Sequence, residues 1–174
     1  MQPNVSEWTV VVAGNWNPGI FSPTWVGQHL LNVEQLEAEA TLANQALSGL
    51  RLMSEDVIVI PRANQLIVGA KKPTNDVLEA IESASVSALE LLKHTPVSGL
   101  GVNFGFVEED PPNDLVELFG AADRRQIADF GCEIRRTEIT RELGLDEGVL
   151  NLRMALRDTQ IEIHANFHFE VGDA

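Results

Sequence analysis

The strongest pattern in the chain lies at its C-terminal end. Leu150, Leu152, Met154 and Leu156 recur at every second position, with Asn151, Arg153 and Arg157 on the opposite side. Ile161, Ile163, Ala165, Phe167, Phe169 and Val171 then alternate with Glu162, His164, Asn166, His168 and Glu170. A period of two is the mark of a strand with one buried face. A turn centred on Asp158-Thr159 sets 156 opposite 161, 154 opposite 163, 152 opposite 165 and 150 opposite 167. Every one of these pairs is apolar, so register and burial pattern agree, and a hairpin with one dry and one wet face is predicted.

Similar alternation marks the other strands. Trp8, Val10 and Val12 alternate with Glu7, Thr9 and Val11 in an N-terminal strand. Residues 57–60 and 66–68 flank Pro61-Arg62-Ala63-Asn64-Gln65 and read as a hairpin with a longer loop. Leu100, Val102, Phe104 and Phe106 alternate with Gly101, Asn103 and Gly105, whose glycines leave one strand face nearly bare. Cys132 and Ile134 open a further strand, and its phase fails before Ile139, as a bulge would make it.

Period 3.6 marks the helices. After Thr74 as N-cap, Leu78, Ile81, Ser85, Ala88, Leu89 and Leu92 form one stripe, with Glu79, Glu82, Glu90 and Lys93 mostly opposite. A second helix follows Pro111-Pro112, capped by Asn113 or Asp114, and is interrupted at Gly120 before Ile127 and Phe130. A short third covers residues 23–31, with Pro23 in its first turn and Trp25, Val26, His29 and Leu30 inward. Residues 33–56 are helical by propensity but alternate at Leu36, Ala38, Ala40 and Leu42, so strand character is expected near both ends. The order predicts an α+β fold, a single domain over residues 1–174. Its mostly antiparallel twisted sheet carries two main helices on one face and ends in the C-terminal hairpin.

Composition narrows the function. The 174 residues are 44% hydrophobic, enough for a core that needs neither metal nor disulfide. The formal net charge of −14 disfavours binding to nucleic-acid phosphates or to anionic lipid. A lone cysteine, Cys132, excludes an internal disulfide and a cysteine-rich zinc site, and it reads as a small buried hydrophobe. No basic, apolar leader precedes Trp8, and the run Val57-Ile58-Val59-Ile60 falls far short of the ~20 residues of a membrane span. A cytoplasmic protein is expected. Charge is also uneven: residues 1–122 hold 15 acids and 5 bases, residues 123–174 hold 11 and 7.

Two groups are candidates for chemistry. On the wet face of the hairpin, Arg153 faces His164 and Asn151 faces Asn166, with His168 further along. Arg153, His164, Asn166 and His168 suit an anionic ligand or a partner surface, and a solvated sheet face accounts for the same residues. His164 and His168 are about 13 Å apart along a strand, too far to share a zinc ion, so no metal site is expected. Trp16 and Trp25, with Phe21 between them, are the second group, either a recognition surface or a seal over one end of the sheet. His29 and His94 read as structural. No P-loop, G-x-S-x-G or H-E-x-x-H occurs, and no catalytic set or cofactor is expected.

The reading that follows is a non-enzymatic acidic interaction domain, acting through self-association as a homo-oligomer or through a protein partner. A domain or enzyme holding a small anionic ligand between sheet and helices is the alternative. An acidic inhibitor imitating nucleic acid is a third.

Overall fold

The computed structural model describes residues 1–43, 46–120, 124–157 and 160–171. Among them ten strands form one antiparallel sheet: β1 (Gln2–Pro3), β2 (Thr9–Gly14), β3 (Glu37–Ala43), β4 (Ala46–Met53), β5 (Val57–Arg62), β6 (Gln65–Ala70), β7 (Val97–Glu108), β8 (Arg136–Gly144), β9 (Val149–Arg157) and β10 (Gln160–Glu170). Their spatial order is β3-β4-β5-β6-β2-β7-β10-β9-β8, with β1 on the end of β7. The helices are α1 (Pro23–Val26), continued by a π turn over Gly27–Leu31, then α2 (Asn75–Leu91), α3 (Asn113–Glu117) and α4 (Arg124–Asp129). The α+β class, the antiparallel sheet and the helices placed on it are as the sequence predicts. None of the described helices is long and apolar enough to cross a membrane.

The C-terminal hairpin has the predicted register: Leu156 pairs with Ile161, Met154 with Ile163, Leu152 with Ala165 and Leu150 with Phe167. Its turn, at Asp158-Thr159, lies outside the described residues. Residues 33–56 resolve into two strands, β3 and β4, paired with each other. The 57–70 hairpin is tighter than expected. Pro61 and Arg62 belong to β5 and Gln65 to β6, leaving Ala63-Asn64 as the turn.

Three local expectations are corrected. Cys132 is exposed, not a core residue, because β8 starts only at Arg136. The lost phase before Ile139 is therefore the strand's beginning, and the β8–β9 register runs without a shift from Arg136 to Gly144. The N-cap of α3 is Pro112 and not Asn113 or Asp114, while Thr74 does take the N-cap position of α2, without a side-chain hydrogen bond. Ser22, by contrast, caps α1 by accepting from Trp25 N at 3.2 Å.

The core lies between α2, the α1–π segment and strands β4, β5, β6 and β2. α2 buries Val77, Ile81, Ala84, Ser85 and Ala88, and Ser85 satisfies its hydroxyl on the Ile81 carbonyl at 2.8 Å. The strands meet it with Leu52, Val57, Val59, Leu66, Val68 and Val12, each worth about 1.5–3 kcal/mol of burial. Trp16, Phe21 and Trp25 close one end with edge-on contacts at 6.0 and 5.4 Å between ring centroids.

Candidate functional site

One row of cross-strand neighbours crosses eight strands of the sheet. It reads Leu52, Val59, Val68, Val10, Val102, Phe167, Leu150 and Leu143, from β4 to β8. Every member is apolar, as the dry face requires. Their burial changes along the row. Leu52, Val59 and Val68 are sealed under the helices, Val10, Val102, Phe167 and Leu150 are partly exposed, and Leu143 is 44% exposed. α2 packs on β5, β6 and β2, so the dry face continues past that helix onto β7, β10, β9 and β8, open over its middle rows and closed at the end where Ile161 and Phe119 are buried.

Where the cover stops, a groove of about 400 Å³ runs between α2 and β7. Val10, Leu100, Val102 and Phe104 line its sheet side, and Leu78, Val86 and Leu89 line its helix side. Glu82 is the only charged residue lining it among the described residues, and Val86 on the rim is 46% exposed. Further along the same face, Phe119 is buried and borders a small cleft with Leu156.

The other face of the outer strands carries the predicted polar set. Arg153 does stand opposite His164, and Asn151 opposite Asn166. The side chains nevertheless go separate ways. Arg153 is exposed and directs Nε to Glu138 Oε1 at 4.0 Å. His164 Nδ1 is paired with Glu7, while Nε2 is buried with no hydrogen-bond partner among the described residues. Glu7 is held from behind by Asn4 Nδ2, which donates to its other oxygen at 3.1 Å. The Glu7 carboxylate occupies the place beside His164 that a bound anion would need.

Asn166 belongs to a polar ladder across four strands. Asn103 Nδ2 donates to Thr9 Oγ1 at 3.0 Å, Asn166 Nδ2 donates to Asn103 Oδ1 at 2.7 Å, and Asn151 Nδ2 donates to Asn166 Oδ1 at 3.4 Å. His168 stands opposite Gly101 and leans toward Gly99, whose missing side chain leaves room for the ring. Among the described residues no three histidine, cysteine or acidic side chains gather closely enough to hold a metal ion.

The tryptophans lie elsewhere. Trp16 is 3% exposed, and its Nε1 donates to the Val12 carbonyl at 2.9 Å. Trp25 is partly exposed, between Phe21 and His29. They are not brought together with the polar set of the hairpin. Glu7, Asn103 and the groove residues Glu82 and Val86 join the candidate surfaces only through strand pairing and helix phase, which local sequence does not display. The chain matches no known protein-family model and no curated protein sequence.

Proposed function

We propose that this protein is a non-enzymatic interaction domain that binds another protein chain, its own or a partner's, through the half of the dry sheet face that its helices leave uncovered. The apolar row from Leu52 to Leu143 carries this reading, since its outer members keep core chemistry without core burial. Contiguous exposed apolar patches larger than a few hundred Å² mark contact surfaces. The polar groups on the opposite face support it from the other side, because Glu7, His164 and the asparagines engage one another. A cytoplasmic setting goes with this reading, and the single cysteine suits it.

Native mass spectrometry of gently purified protein tests the proposal. The wild-type chain should appear in a complex, as a multiple of 19.1 kDa or bound to a second polypeptide. Leu152→Asp, in the middle of the uncovered face, should release free 19.1 kDa chain with unchanged circular dichroism. A wild-type chain that is monomeric and captures nothing from its host extract would end the proposal.

A further inference from the structure

We infer that the occupant of the uncovered half is a second copy of this chain. The two lie sheet to sheet about a two-fold axis parallel to the strands, the edge strand β8 of each seated beside α2 of the other and Arg141 of each paired with Glu82 of the other. This rests on the interaction reading above and specifies the partner and the contact.

The geometry follows from layer spacing. Packed sheets lie about 10 Å apart, so a second sheet on β7–β8 occupies the same layer as α2. A two-fold axis along the strands reverses their order, setting β8 of one copy over β7 of the other, directly beside α2. The dry-face residues of β8 are Thr137, Ile139, Arg141 and Leu143, opposite Leu156, Met154, Leu152 and Leu150. Ile139 and Leu143 then meet the apolar groove lined by Leu78, Val86 and Leu89. The exposed Leu143 and Val86 cover each other.

Charge selects this arrangement. Arg141 is, among the described residues, the only charged side chain that the four strands place on the dry face besides Glu108, which lies opposite Ile161 and is paired with the N-terminal ammonium of Met1. Arg141 is exposed and makes no ion pair among the described residues. Among the described residues Glu82 is the only charge lining the groove. In an isologous contact each unpaired charge meets its opposite twice, once on each side of the axis. The contact is confined to the middle rows, those of Leu150, Leu152 and Met154, because Ile161 at the end of the face is already buried within its own chain.

Charge reversal and exchange on the full chain test the contact by sedimentation velocity and native mass spectrometry. The wild type should sediment as a species of twice 19.1 kDa. Arg141→Glu and Glu82→Arg should each weaken dimerisation at least about tenfold, since each sets like charges face to face. The combined variant should recover dimerisation to within a few-fold of wild type. Glu79→Arg, on α2 but outside the groove, should leave it unchanged. A dimer indifferent to Arg141→Glu, or a combined variant no better than the single ones, would overturn the contact. A monomeric chain that binds a different protein, with capture lost in Leu152→Asp, would overturn the second copy but leave the interaction reading standing. A monomer that binds nothing would remove both.

Discussion

The Glu7 carboxylate lies across the bare backbone of Gly105 and, from there, pairs with Nδ1 of His164. A β-carbon built on Gly105 would come within 2.7 Å of Glu7 Oε2 and 2.8 Å of Glu7 Cβ. Gly105 and His164 are direct cross-strand neighbours, so the glycine is a slot through which the N-terminal segment reaches β10. Two more contacts fasten that segment there. Asn4 N donates to the Gly105 carbonyl at 2.9 Å, and Trp8 Nε1 donates to the same oxygen at 3.0 Å.

Gly105→Ala should therefore destabilise the fold even though the position is on a regular strand, where alanine is conformationally acceptable. The added methyl group has both ends of the Glu7 side chain against it. It must displace the Glu7–His164 pair or bend β7, at a cost of about 1–3 kcal/mol, as for other overpacked sites. Urea unfolding followed by tryptophan fluorescence measures this, and an unchanged midpoint would show that Glu7 does not need the slot.

The asparagine ladder should behave as one unit. Asn103 is its centre, donating to Thr9 and accepting from Asn166. Asn103→Ala leaves two partners unpaired on a partly buried face, so about 1–3 kcal/mol of stability should be lost. A double-mutant cycle with Asn166→Ala should show that the two losses do not add, because both delete the same 2.7 Å bond. Additive losses would mean that water replaces the bond at no cost.

What could be read from sequence follows from the distance over which each feature is decided. The terminal hairpin was legible to the residue, since both strands alternate strictly and Leu150–Leu156 and Ile161–Phe167 are joined by a short turn. α2 was legible in extent but turned slightly in phase. Val77 and Ala84 are buried, while Leu78 and Leu89 point to the groove beside β7. That difference matters, because a leucine assigned to the core would have hidden the groove. Pro61 suggested a loop, as proline cannot donate to a sheet. It is accommodated in β5 because β4 pairs with β5 only at Leu52–Val59 and Met53–Ile58, short of Pro61.

The wet face was legible only in part. Arg153 opposite His164 and Asn151 opposite Asn166 follow from the hairpin alone. Glu7 and Asn103 enter through β7, and their contacts join residues 63 to 94 positions apart or come from the N-terminal segment. No local period encodes such pairings. The uncovered dry face was invisible for a related reason: alternation reports which side of a strand is apolar, and says nothing about whether a helix lies over it.

A pH experiment addresses the acidic edge. Lys72 Nζ lies 2.7 Å from both Glu55 Oε1 and Asp56 Oδ1, joining the end of β6 to the turn before β5. Hydrogen bonds first to Asp56 and then to Glu55 raise its pKa above the ordinary lysine value. A lysine raised in the folded state contributes stability that is complete below its unfolded pKa of about 10.4 and fades as pH climbs through the folded one. The melting temperature of wild type should thus exceed that of Lys72→Met by a small, constant margin up to about pH 10, and the two should converge above it. A margin that persists at higher pH would assign the effect to packing of the lysine stem. Salt should shrink the margin as well, since the group is exposed.

Two leucines on the same face of the sheet separate core burial from burial by a second chain. Leu66 is fully enclosed beneath the helices, so Leu66→Ala should cost about 2–5 kcal/mol at any protein concentration. Leu152, between Ala165 on β10 and Arg141 on β8, is only partly covered by its own chain. Leu152→Ala should cost less when the protein is dilute and more when it is concentrated, because association stabilises the folded state by mass action. Denaturant midpoints measured over a hundredfold range of wild-type concentration should rise, and those of Leu152→Ala should rise less. Parallel, concentration-independent midpoints for both proteins would mean that Leu152 is stabilised within its own chain alone, leaving the outer half of the sheet without a covering chain.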